Sequence, residues 1–180
     1  MRVITGIARG RRLETPDGLD VRPTTDRVKE ALFSSIQFDI EGRRVLDLFA
    51  GSGQLGIEAL SRGAESAVFV DLSPESLEIV QRNLQTTGFT SHAKLERKDY
   101  FSFIAGTRDK FDIAFLDPPY RAGILEKALE NVTAVMSDYG IIICEHPTDT
   151  VLPENTGGFG VSKRLKAGKV AVTVYRKERV

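Results

Sequence analysis

Val45-Leu46-Asp47-Leu48-Phe49-Ala50-Gly51-Ser52-Gly53 constrains the fold more than any other stretch of the chain. An apolar run passes through an acid into a Gly-x-Gly turn. Gln54 to Arg62 then reads as a helix, with Leu55, Ile57, Ala59 and Leu60 apolar. Strand, glycine turn and helix form the first unit of a nucleotide-binding α/β fold. Glycine accepts positive φ and lets backbone approach a ligand closely, which marks Gly51 and Gly53 as binding candidates. Gly56 completes a G-x-G-x-x-G spacing. Asp47 stands before the glycines, where a carboxylate would repel a pyrophosphate but tolerate an ammonium or sulfonium centre.

The next two strands repeat the pattern of an acid at the end. Ala67 to Val70 runs into Asp71, an acid placed to take both hydroxyls of a ribose. Leu72 beside it is placed to pack on a purine. Ser73 opens a helix as its cap, with Pro74 in the first turn and Glu75 and Glu78 near its start. A strand around Lys94 to Arg97 ends in Asp99-Tyr100-Phe101. There Asp99 can accept from an adenine amino group, with Tyr100 or Phe101 beside the ring. Phe49, in the glycine turn, joins the cofactor-binding candidates, as does Asp117 further along the chain. The plainer alternative is that Asp71 and Asp99 only cap the helices that follow. Three carboxylates at the ends of three successive strands point to S-adenosylmethionine rather than NAD or ATP.

The candidate catalytic group is Asp117-Pro118-Pro119-Tyr120, which follows the apolar run Phe111 to Leu116. Two prolines fix φ and remove two backbone donors, so the turn is rigid and its carbonyls stay available as acceptors. The Tyr120 ring can stack on a planar group carrying an –NH2, while Asp117 and a proline carbonyl accept its two N–H bonds. This turns the nitrogen lone pair toward an electrophile. Glu145 and His146, at the end of a further strand from Ile141, border the same crevice.

These motifs resemble the amino-methylating branch of the class I methyltransferases. Asp47 to Gly53 matches the nucleotide-binding motif and Asp117 to Tyr120 the catalytic motif. Ile4-Thr5-Gly6, Arg9-Gly10-Arg11-Arg12-Leu13 and Arg22-Pro23-Thr24-Thr25-Asp26-Arg27-Val28-Lys29-Glu30-Ala31-Leu32-Phe33 are similar to the amino-terminal signature of the RsmD family. The likeness extends over nearly the whole chain. It implies methylation of a guanine N2 amine in 16S ribosomal RNA of the small subunit, with or without ribosomal proteins bound. In that family the helix after the arginine-threonine-aspartate segment closes over the methionine end of the cofactor. Gln54 departs from the pattern, which has a small residue there.

The remaining sequence fits a class I, Rossmann-like α/β fold: a doubly wound, mostly parallel sheet with a C-terminal antiparallel hairpin and a small N-terminal β appendage. The expected organisation is residues 1–23 as a hairpin arm touching RNA and residues 24–180 as the methyltransferase domain. Asp17-Gly18 offers the arm a turn. A helix is expected over residues 24–38. Val161 to Leu165 and Val170 to Tyr175 bracket Lys166-Ala167-Gly168-Lys169 as the terminal hairpin. Hydrophobic residues make up 41% of the 180, enough for a real core. No apolar run approaches the ~18 residues of a spanning helix, and a soluble, cytoplasmic protein without membrane or metal partners is expected. The single cysteine, Cys144, reads as core.

Formal net charge is zero, but its distribution is uneven. Arg2, Arg9, Arg11 and Arg12 precede the first acid, and Arg9, Arg11, Arg12 and Arg22 are the candidate RNA contacts. Lys163, Arg164, Lys166, Lys169, Arg176, Lys177 and Arg179 face Glu178 alone near the other end. The residues by themselves leave other readings open. They are amino methylation of DNA adenine, another RNA or a protein glutamine; an NAD-linked oxidoreductase; and a non-catalytic RNA-binding or ribosome-assembly factor on a methyltransferase scaffold.

Overall fold

The computed structural model describes residues 1–16, 25–121 and 123–179. Eight strands form one sheet in the order β3-β2-β1-β4-β5-β8-β7-β6. Strands β1 (Arg44–Asp47), β2 (Ser66–Asp71), β3 (Ala93–Arg97), β4 (Phe111–Leu116) and β5 (Met136–Pro147) pair in parallel. Strands β6 (Asn155–Thr156), β7 (Phe159–Ala167) and β8 (Val170–Lys177) add antiparallel pairs at one edge. Helices α1 (Asp26–Ser35), α2 (Gln54–Ser61), α3 (Pro74–Thr87), α4 (Tyr100–Gly106) and α5 (Ile124–Val132) cover the two faces.

The apolar runs are buried on both sides because successive side chains point to opposite faces. Val45, Ile113, Phe115, Ile141 and Ile143 enter one core with α1, α2 and α3. Leu46, Ala114, Leu116, Ile142 and Cys144 enter the other with α5. Cys144 is therefore core, and burial pushes its thiol pKa up. Gly56 lies where α2 crosses β2. A Cβ there would meet the Phe69 ring at 2.4 Å, so the third glycine of the spacing serves close helix-on-strand packing.

The N-terminal appendage doubles back on itself as an antiparallel pair. Arg2 bridges Arg12, Val3 N–H donates to the Arg11 carbonyl, Gly10 N–H to the Val3 carbonyl and Leu13 N–H to the Met1 carbonyl, each at 2.9 Å. The segment lies along α2, and Val3, Ala8 and Leu13 are buried in the same core as α1 and α2. Its backbone is held by a side chain: Glu58 of α2 accepts from Ile4 N–H at 2.9 Å and Thr5 N–H at 3.1 Å. Glu58 is fully buried and also takes Arg62 at 3.0 Å, with Lys29 Nζ 3.8 Å away. Lys29 Nζ donates to the Arg2 carbonyl at 2.8 Å. Backbone donors and two cations thus supply the partners that a buried carboxylate needs. The turn expected at Asp17-Gly18 lies outside the described residues.

Candidate active site

Strand β1 has β2 on one side and β4 on the other, which makes its carboxyl end the topological switch point where α/β sheets bind ligands. A cavity of about 590 Å³ opens there, within the usual range for small-molecule sites. Sheet order sets the order of acids along it: Asp99 after β3, Asp71 at the end of β2, Asp47 at the end of β1, Asp117 after β4.

Asp71 does not cap a helix; Ser73 does that, accepting from Ser76 N–H at 3.2 Å. Asp71 instead receives Gly51 N–H and Ser73 N–H, each at 2.9 Å, and so ties the glycine turn to the end of β2. Each oxygen keeps further acceptor capacity toward the cavity. Asp99 is a helix cap as well as a lining residue: Ser102 donates its N–H at 2.9 Å and its hydroxyl at 2.7 Å. These bonds hold the Asp99 carboxyl below its usual pKa. Tyr100 lies against Phe49, ring centroids 5.7 Å apart, and both line the cavity; Phe101 is exposed and does not. Leu72 stands at the lip, 66% exposed, beside Asp71.

Asp47 is 2% exposed and accepts Gly56 N–H at 3.0 Å. Burial pushes its pKa up to about 7, with Asp71 adding to the shift and the Gly56 bond opposing it. Gly51 lines the cavity at φ +56°, with open space where a Cβ would point. Gly53 does not line it. It starts α2 at φ +82°, and a Cβ there would press on Val80 at 3.2 Å.

Asp117, Pro118, Pro119 and Tyr120 form the cavity's far wall. The Pro119 carbonyl accepts Arg121 N–H at 2.7 Å, a tight turn that directs Tyr120 outward, about half exposed. The Asp117 carboxyl is raised well above the usual range by burial first, then by Glu145 and Asp47. Glu145 belongs to this acid group and lines the cavity. His146 instead faces a second cavity of about 170 Å³ on the other side of the Asp117-to-Tyr120 turn. Its ring nitrogens sit 2.8 Å from Thr173 Oγ1 and 2.8 Å from the Pro147 carbonyl.

The candidate RNA contacts lie elsewhere. Arg9, Arg11 and Arg12 are exposed on the N-terminal segment. That segment leaves the cavity at Met1, turns beside Ser61 at the far end of α2, and returns to the cavity at Pro16. The tip near Arg9 is therefore about one α2 length, roughly 12 Å, from the glycine turn. Arg22 lies outside the described residues. The β7-β8 register puts Lys166 and Lys169 at the same end of the sheet as the Asp117-to-Tyr120 turn.

Lining residues outside the candidate set include Met1, Pro16, Lys98 and Gln54. Met1 and Pro16 arrive only because the N-terminal segment is folded back on α2. Lys98, just before Asp99, had a usable signal in its position at a strand end. Gln54 stood out only as a large residue in a place suited to a small one.

The donor set suits a particular ligand. Three carboxyl groups, Asp47, Asp117 and Glu145, line one end of the cavity; Glu145 and Asp47 add to the raised proton affinity of Asp117, and Asp71 to that of Asp47. Such a group accommodates a cation and rejects phosphates. With the paired acids of β2 and β3 beside it, this fits a nucleoside carrying a sulfonium and an ammonium. Fold and site together define a class I, S-adenosylmethionine-dependent methyltransferase.

Comparison with known proteins narrows the class. The model of the family described as conserved hypothetical protein 95 matches residues 1–176, and the chain belongs to that family, the RsmD methyltransferases. It is 35% identical to ribosomal RNA small subunit methyltransferase D of Escherichia coli K12, over 99% of this chain and 90% of the relative. For the enzyme of the same name in Haemophilus influenzae the identity is 39%, over 98% and 93%. A solved structure of Thermus thermophilus 16S rRNA guanine-N2 methyltransferase (RsmC), in complex with AdoMet and guanosine, superposes with TM-score 0.72. Its identity is 25%, covering 90% of this chain and 45% of that one.

Proposed function

We propose that the chain methylates the exocyclic N2 amine of a guanine in 16S ribosomal RNA, using S-adenosylmethionine. The observation that carries this reading is the line of carboxylates ending at the rigid Asp117 turn: three acids shape a cationic nucleoside site, and the fourth faces an amine. The small-subunit methyltransferases D among the relatives and the guanine-N2 enzyme among the structures support guanine N2 as the target.

When bound, the cofactor supplies an electrophilic methyl group on a positively charged sulfur. Asp71 receives its ribose hydroxyls; Asp99 receives its adenine amine, with Phe49, Tyr100 and Leu72 against the ring. Asp117 and the Pro118 carbonyl accept the two N–H bonds of the guanine amine, since Pro119's carbonyl already holds Arg121 N–H. Tyr120 stacks on the base. Positioning the nitrogen in line with the methyl supplies most of the acceleration. The raised proton affinity of Asp117 equips it to take the proton that the methylated nitrogen sheds. A paired guanine is out of reach, so the target is unpaired or flipped, at a cost of a few kcal/mol.

Residues 1–23 serve as the RNA-contacting segment, with Arg9, Arg11, Arg12 and Arg22 on phosphates, and residues 24–180 as the catalytic body. A segment this small reads little sequence, so selectivity comes from folded small-subunit RNA with ribosomal proteins in place, in the cytoplasm. Asp117→Ala tests the assignment. Single-turnover methylation of small-subunit particles should fall roughly 10²–10³-fold, the scale of one lost transition-state hydrogen bond. Cofactor affinity by calorimetry should stay near wild type. Near-normal turnover would remove Asp117 from the mechanism.

A further inference from the structure

Gln54 is the first residue of α2, 8% exposed, and it lines the large cavity next to Asp47 and Gly51. Its Oε1 is buried and has no hydrogen-bond partner. A buried amide left in this state is destabilising, because it loses water and gains nothing in exchange. No other buried side-chain nitrogen or oxygen among the described residues lacks a partner. Asp47 holds Gly56 N–H, Asp71 holds Gly51 and Ser73, and Asp99 holds Ser102. An isolated orphan in a shaped cavity marks the place of an absent ligand group.

The order of the sheet says which group. Along β3-β2-β1-β4 the cavity runs from the adenine acid Asp99, through the ribose acid Asp71, to Asp47, and ends at the catalytic Asp117. A nucleoside lying in that direction brings its sulfur between β1 and β4. Its amino-acid end then falls by the start of α2. We propose that the Gln54 side-chain amide binds the α-amino-acid end of S-adenosylmethionine, an inference that rests on the cofactor reading above. The carbamoyl oxygen accepts from the ammonium, beside the Asp47 carboxylate; the carbamoyl NH2 is available to the carboxylate. The chain has traded ligand-free stability for a fixed contact to the part of the cofactor that does not react.

The test separates the two ends of the ligand. S-adenosylhomocysteine carries the amino-acid end; 5′-methylthioadenosine has the same nucleoside and lacks it. Both are titrated by calorimetry into wild type, Gln54→Leu and Gln54→Ala. Gln54→Leu keeps the volume and removes the amide; Gln54→Ala supplies a small residue. Both variants should bind S-adenosylhomocysteine about tenfold more weakly, the scale of one hydrogen bond to a charged group. Their affinity for 5′-methylthioadenosine should stay within about twofold of wild type. Without ligand, Gln54→Leu should melt no lower than wild type, because it removes an orphaned amide. Equal weakening of both ligands, or of neither, would overturn the proposal, as would a lowered melting temperature with an unchanged affinity ratio. If wild type itself binds neither ligand, the cofactor reading fails. If it binds both and only the ratio is unmoved, the failure belongs to Gln54 alone.

Discussion

Asp47 shows how one residue can shape a binding site without touching the reaction. Its carboxyl is raised to about 7 by burial, with Asp71 adding to it. Because the folded value exceeds the unfolded value of about 4, its stabilising contribution is complete below about pH 4 and is lost as pH rises through about 7. A cationic ligand reverses the balance by favouring the ionised form. Cofactor binding near pH 7 should therefore release a fraction of a proton, and affinity should rise between pH 6 and 8. Calorimetry in buffers of different ionisation enthalpy reads this directly; proton uptake, or none, would contradict it. Asp47 was legible from its place before the glycines, and Asp117 from its two prolines, because each motif is local. The second role of Asp99 was open in the sequence, since a capping acid and a ligand-binding acid occupy the same position after a strand. In the structure it caps α4 and also lines the cavity. Glu145 was legible only as a neighbour of the crevice, because its effect on Asp117 comes from a different strand.

Among the elements, the N-terminal segment is held by more than its own pairing. Residues 1–3 pair with 11–13, as the arginine-rich hairpin reading expected, and Glu58 of α2 fixes the backbone of Ile4 and Thr5 from outside. That contact is long-range: Glu58 is 54 residues from Ile4, and no local pattern joins them. Glu58→Ala would remove the acid paired with buried Lys29 and leave two backbone donors without partners. It should cost about 3–5 kcal/mol in urea unfolding, the scale for breaking a buried pair. An unchanged midpoint would mean that the segment is held by its apolar residues alone. The arginines are a separate matter. Arg9, Arg11 and Arg12 are exposed, so replacing all three with Ala should spare cofactor binding and melting temperature. Each lost phosphate contact should shallow the salt dependence of small-subunit RNA binding by a little under one unit of slope. Parallel salt curves of equal affinity would leave these arginines as solvated surface.

At the scale of the whole molecule, sheet topology turns scattered acids into one site. Asp47, Asp71, Asp99 and Asp117 span 70 positions, yet β3-β2-β1-β4 sets them in a row at one end. The parallel alternation was readable from apolar runs, and the terminal hairpin from Lys166 to Lys169. What periodicity could not give was the length of β5, which starts at Met136 rather than near Ile141, because Ser137, Asp138 and Tyr139 interrupt the apolar pattern. Nor could it show that Met1 and Pro16 border the cavity, which depends on where the first segment docks. No helix among the described residues is long and apolar enough to cross a membrane. The most direct test of the account is to incubate small-subunit particles lacking the modification with the protein and methyl-labelled S-adenosylmethionine, then digest the RNA to nucleosides for mass spectrometry. The label should appear in N2-methylguanosine of 16S RNA and nowhere else. Label in another nucleoside, in protein, or in no product would contradict it.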